Sequence, residues 1–149
     1  MYLSSKDIAV LFNHQRGMND DFSFNTITDK ASFSQPKGLF VRLNKESGEL
    51  SEAIANGAIA AIWDDDEKLP QYTPNHFPVF FTNDSAEAIK ELIKIYNEKL
   101  DGEMNSKMEI TNFKFSNKKL LNKNKQTYDI AVILEKLTNK MALNKERRG

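Results

Sequence analysis

Cysteine is missing from all 149 residues of this sequence. That absence excludes disulfides, thiolate nucleophiles and sulfur-ligated metals, and it fits a reducing compartment. Histidine is nearly as scarce: His14 and His76 are the only two. His14 has no second His or Cys near it in sequence, so a surface position at a helix end, answering the helix dipole, is the simpler expectation than a ligand or base. Glycine is thin as well, with six in the chain and none between Gly102 and Gly149. No glycine is followed by lysine and no Gly-x-Ser-x-Gly occurs, so neither a phosphate loop nor a nucleophile elbow is encoded. No apolar run approaches the ~18 residues a membrane span needs. The opening residues MYLSSKDIAVLF also lack the basic flank and long apolar core of a secretory signal. A cytoplasmic protein without catalytic residues, bound metal or cofactor is the expectation.

What the chain does have is a balance of charge that is unevenly laid out. Residues 1–103 hold 10 Lys/Arg against 17 Asp/Glu, a balance of −7, whereas residues 104–149 hold 11 against 4, a balance of +7. Opposed halves attract one another within a molecule or between molecules. The division predicts an α/β domain over 1–103 and a basic carboxy-terminal extension over 104–149, a strand plus an amphipathic helix, packed on it. The lysines around Phe113 and Phe115 match no aromatic-basic nucleic-acid module, so nucleic acid is not expected as a partner.

The stretch from Phe24 to Asp64 organises the rest. Phe24–Thr28 is β-prone, and Gln35-Pro36-Lys37-Gly38 is a turn in which Gly38 is expected to take the left-handed position. Leu39–Leu43 is a second strand. Leu50, Ala53 and Ile54 fall at helical spacing, Gly57 stands where a helix ends, and Ala58–Trp63 is a short buried strand. Asp64-Asp65-Asp66-Glu67 lacks the alternation and central glycine of a calcium loop and reads as a solvated turn. Val79-Phe80-Phe81 is a further buried strand. Asn83-Asp84-Ser85 starts a helix whose inner face carries Ala86, Ile89, Leu92, Ile93 and Tyr96. At the amino end, Ser4 and Asp7 form a capping signature for a helix through Ile8, Leu11 and Phe12. The predicted elements are strands near 23–28, 38–43, 58–63, 79–82 and 107–115, and helices near 4–14, 49–56, 85–100 and 128–144. They give a mixed α/β sheet with flanking helices, parallel between 49 and 100, with antiparallel pairing allowed within 23–43. The last helix puts Ile130, Ile133, Leu134, Leu137 and Met141 on one stripe, which serves either the chain's own core or a protein partner or second copy through 128–144.

Thr28-Asp29, Pro36-Lys37-Gly38, Leu39-Phe40-Val41, Ala53, Asn56-Gly57-Ala58 and Ala60 together resemble the amino-terminal, UDP-sugar-binding domain of the Mur ligases, which act on UDP-N-acetylmuramoyl peptides in building peptidoglycan. The resemblance covers roughly residues 24–100 and implies that fold. It also implies a substrate site at Thr28, Asp29, Lys30, Asn44 and Lys45. Here Lys30 and Ala31 stand where the family has Ser and Arg, and lysine offers a diphosphate a point charge without the bidentate fork of arginine. Where the family places its ATP phosphate loop, this sequence runs Asn112-Phe113-Lys114-Phe115-Ser116-Asn117, and bulky residues cannot take the open backbone that cradles phosphates. Two function classes follow. One is a non-catalytic structural or regulatory interaction protein connected with cell-wall precursor metabolism; the alternative is a stand-alone binding module for a UDP-sugar such as a UDP-N-acetylmuramoyl peptide.

Overall fold

Strands whose side chains are buried on both faces read as unbroken apolar runs, because each face must be covered. Gly38–Val41 and Ala58–Trp63 are such runs, and they form the middle of the sheet. The structure, a computed structural model, describes residues 2–17, 21–74, 76–101, 111–116, 119–121 and 127–137. Its elements in chain order are β1 (Leu3–Ser4), α1 (Ser5–Ala9), β2 (His14–Arg16), β3 (Ser23–Phe24), β4 (Thr26–Thr28), β5 (Gly38–Val41), α2 (Leu50–Ala55), β6 (Ala58–Asp64) and β7 (Val79–Thr82), followed by α3 (Ser85–Asp101), β8 (Asn112–Lys114), β9 (Lys119–Leu121) and β10 (Thr127–Asp129). A final helix, α4, is described over 130–137. Six strands form one sheet in the order β2-β7-β6-β5-β4-β8. All neighbours are parallel except β2, which runs antiparallel to β7 at the edge. The molecule is thus mixed α/β with a mostly parallel central sheet flanked by helices.

The two-residue period of the strands sorts the core into two layers. Ile27, Leu39, Val41, Ile62 and Phe80 face Ile8 of α1 and the inner stripe of α3, Ile89, Leu92, Ile93 and Tyr96. Phe40, Ala61, Trp63 and Val79 face the other way, onto Leu50 and Ala53 of α2 and Phe77. Helix α3 starts from Asp84, whose Oδ1 accepts the Glu87 N–H at 3.0 Å. After β7 and α3 the chain passes to β8, which pairs with β4 at the opposite margin of the sheet. Phe115, Ile130 and Leu137 belong to the α3-side core, the last two at 0% and 2% exposure. Ile133 and Leu134 pack at its margin while Val132 faces out.

Several elements differ from the sequence expectation. The helix expected over 4–14 ends at Ala9. Gln15 Nε2 donates to the Ala9 and Phe12 carbonyls at 2.7 and 3.0 Å and closes its end. His14 therefore sits on edge strand β2, stacked on Phe81 at 4.5 Å, and not at a helix terminus. The strand expected over 23–28 breaks at Asn25: β3 pairs antiparallel with β1, and β4 joins the main sheet. β4 and β5 are parallel, not antiparallel. In the turn before β5, Lys37 takes the left-handed position (φ 46°). Gly38 is required for a different reason, since a Cβ there would lie 2.5 Å from the Gln35 carbonyl oxygen. Residues 44–48 are a capped 3-10 turn, which ends β5 at Val41. Tyr128 and Asp129, the first two residues of the expected final helix, belong instead to strand β10, paired with β9. Residues 107–110 of the expected fifth strand and 138–144 of that helix, with Met141, lie outside the described residues, as does the 103/104 division.

The capping box at α1 also ties the amino end to α3. Ser4 Oγ accepts the Asp7 N–H at 3.2 Å, Asp7 Oδ2 accepts the Ser4 N–H at 3.0 Å, and Lys99 Nζ pairs with the same carboxylate. Burial pushes the Asp7 carboxyl up, but the hydrogen bonds from Lys99 and Ser4 and the Lys99 charge together hold it below its ordinary value. A carboxylate lowered in this way stabilises the fold above its unfolded pKa of about 3.9 and loses that contribution as pH falls through the folded value.

Two measurements check this account. In urea titrations, Leu137→Ala is expected to cost about 2–5 kcal/mol, as for a fully buried leucine, and a loss below ~0.5 kcal/mol would show α4 to be a surface addition. As pH is lowered below about 4, the Asp7→Asn variant is expected to lose less of its own stability than the wild type does over the same window, and parallel acid profiles would remove Asp7 from the account.

Candidate functional site

Five parallel strands end at one margin of the sheet, and such carboxyl ends are where open α/β sheets collect ligands. The loops that follow them are 29–37, 42–48, 64–67, 82–85 and 115–116. Thr28 ends β4 with Asp29 and Lys30 following it, and Asn44 and Lys45 come shortly after β5, so the fold brings all five predicted residues to this margin. Two bonds join their loops directly: the Ala31 N–H donates to the Ser47 carbonyl at 2.8 Å, and Lys30 Nζ to the Glu46 carbonyl at 2.8 Å. Gly48, at φ 103°, permits the approach, because a Cβ there would meet the Ala31 Cβ at 2.8 Å.

The polar atoms of these residues are already used by the protein. Thr28 Oγ1 accepts the Lys30 N–H at 3.2 Å, a local hydroxyl turn. Asn44 Oδ1 accepts the Glu46 N–H at 2.8 Å and starts the 3-10 turn. Asp29 is 3% exposed, with Oδ1 taking the Ser116 N–H at 2.9 Å and Oδ2 the Ser116 hydroxyl at 3.0 Å. A buried charge is tolerable only when hydrogen-bonded, and Ser116 supplies both bonds from the loop after β8. Lys45 alone of the five stands exposed with no protein contact described for its side chain.

Neighbouring strand ends are likewise self-satisfied. Arg42 pairs with Glu67 and lies over the Trp63 ring at 5.0 Å. Asp64 Oδ1 accepts the Asp66 N–H at 2.8 Å, and Asp65 Oδ1 stands 3.6 Å from His14 Nδ1. The 64–67 run is therefore a turn, and among the described residues no group of three or more His, Cys, Asp or Glu is placed to hold a metal ion.

Sequence reasoning missed two residues that shape the site. Ser116 carries no local signal, since its partner is 87 positions away. Gln35 is fully buried, and its Nε2 reaches the Lys30, Ala31 and Phe33 carbonyls at 3.2, 3.4 and 3.2 Å. Only the turn dipeptide beside Gln35 hinted at its importance.

Asp29→Ala is expected to leave Ser116 without an acceptor and cost about 1–3 kcal/mol in urea unfolding, with Ser116→Ala costing less, roughly 0.5–1.5, since its N–H bond persists. Equal, negligible costs would show the pair to be a surface accident. No protein-family model matches the chain, and no curated protein is significantly similar to it.

Proposed function

We propose that this chain is a non-catalytic α/β module of the Mur ligase amino-terminal kind, working as a cytoplasmic structural or regulatory interaction protein in bacterial cell-wall precursor metabolism. The observation that carries this reading is the buried Asp29 carboxylate, both of whose oxygens are taken by Ser116. A group that meets a ligand is reached from solvent, whereas Asp29 is almost wholly buried and each of its oxygens already accepts a bond within the protein. The residues behind the resemblance serve packing in the same way. Phe40, Ala53 and Ala58 share one core cluster, and Gly38 and Gly57 close against Gln35.

One arrangement favours the alternative, a stand-alone UDP-sugar-binding module. Lys30 Nζ reaches the Glu46 carbonyl in the loop that also carries Asn44 and Lys45, and a diphosphate drawn to that loop would meet the Lys30 ammonium at the cost of this one bond, with exposed Lys45 one residue away in the chain. Titration of the full chain with UDP and with a UDP-N-acetylmuramoyl peptide, followed by amide NMR, separates the two. The interaction reading expects no shift at Thr28–Lys30 or at Asn44 and Lys45 at millimolar ligand. It also expects the purified chain to change the rate of stem-peptide ligation when added to a Mur ligase. Saturable shifts confined to those residues, with no effect on ligation, would replace it with the ligand-binding reading.

A further inference from the structure

Asn56-Gly57 is the one Asn-Gly dipeptide in the sequence, and both members are fixed by the fold. Gly57 stands at φ 118°, where an added Cβ would lie 2.6 Å from the Gln35 carbonyl oxygen, so no larger residue fits without displacement. Asn56 ends α2 and sends its Nδ2 2.8 Å to the Ala31 carbonyl. The backbone around the dipeptide is tied to the 31–38 segment as well. The Gln35 N–H donates to the Asn56 carbonyl at 2.9 Å and the Gly38 N–H to the Gly57 carbonyl at 3.1 Å.

An asparagine followed by glycine is chemically labile, because no side chain shields the next backbone nitrogen from the asparagine carboxamide. The Gly57 nitrogen, losing its proton to water or hydroxide, attacks Asn56 Cγ; a C–N bond forms, the Cγ–Nδ2 bond breaks, and Nδ2 leaves as ammonia. Water then opens the cyclic imide at either carbonyl, giving aspartate or a β-linked isoaspartate. In the native chain both reacting groups are engaged elsewhere. The Gly57 N–H is donated to the Ile54 carbonyl at 3.1 Å, and the carboxamide is held by Ala31. Backbone opening is needed to release them, and such opening is local and sub-global in most proteins.

The product cannot restore the lock. An acid at position 56 has no N–H for Ala31, and two oxygens then face each other in a half-buried site. The β-linked form also lengthens the backbone just before Ala58, where β6 enters its register with Gly38 of β5. We infer that Asn56 is a spontaneous deamidation site held inert by its contacts with the 31–38 segment, so that modification marks chains that have opened there and keeps them open.

The test incubates the full chain at mildly alkaline pH, folded and in urea, and maps aspartate and isoaspartate by peptide mass spectrometry. Modification is expected at Asn56 under both conditions, at least about tenfold slower in the folded chain. The folded rate is expected to rise in sub-denaturing urea and in Gln35→Ala, which removes the side-chain bonds to the Lys30, Ala31 and Phe33 carbonyls and leaves the Asn-Gly sequence itself unchanged. The Asn56→Asp variant and the aged wild type should both melt lower than fresh protein and show shifted amides at Ala31 and Gly38. Equal folded and unfolded rates would refute the protective lock. Absence of product at Asn56 in urea would refute the site, and unchanged melting of modified protein would refute the claim that the product holds the segment open.

Discussion

Residues 29–37 have to carry the chain from the end of β4 back to the start of a parallel neighbour without a crossover helix, and the carboxyl margin depends on how they do it. Parallel neighbours usually need a dozen or more residues and a helix between them. Here a buried glutamine takes over the helix's role. Gln35 spans the loop from inside, gathering the Lys30, Ala31 and Phe33 carbonyls, while its own backbone packs against Gly38 and Gly57. A left-handed Lys37 completes the reversal at a cost of roughly 1–2 kcal/mol for a non-glycine residue. Thr28, Asp29 and Lys30 are placed by this loop, so their geometry is inherited from a residue that touches no solvent.

The carboxy-terminal segment joins the body by burial and directed hydrogen bonds. Thr111 is a hub, its Oγ1 donating to the Phe24 carbonyl at 2.6 Å and accepting the Leu3 N–H at 2.8 Å, with its own N–H on the Tyr96 hydroxyl at 2.9 Å. Burial raises the Tyr96 pKa, against the bonds to Thr111, so the hydroxyl stays neutral at this junction. The opposed charge of the two halves suggested an electrostatic union. Within the body, Arg42 pairs with Glu67, Lys94 with Glu91 and Lys99 with Asp7.

Legibility followed locality. Apolar runs and their punctuation located β5, α2, β6, β7 and α3 nearly to the residue, because burial on both faces leaves a continuous signal. The Ser4–Asp7 cap was readable for the same reason: donor and acceptor are three positions apart. Elements fixed by distant partners were not readable. Edge strand β2 exists because β7 offers it a ladder, and β10 because β9 does, so pairing took His14 from the end of one expected helix and Tyr128 and Asp129 from the start of the other. The five candidate residues came from the resemblance alone, and it is the fold that sets them at the ends of β4 and β5. That Ser116 already satisfies Asp29 could not be read, since nothing near either residue encodes the other.

Trp63 gives the carboxyl margin an optical signature. It is the chain's single tryptophan, 3% exposed, with the Arg42 guanidinium lying across its ring and Glu67 holding that guanidinium in place. An indole shielded from water emits toward the blue, and a cation on its face alters the intensity. The emission of the intact protein therefore reports on one point alone, where the end of β5 meets the turn after β6. Any event that pulls Glu67 away from Arg42 changes that light without unfolding the sheet beneath it.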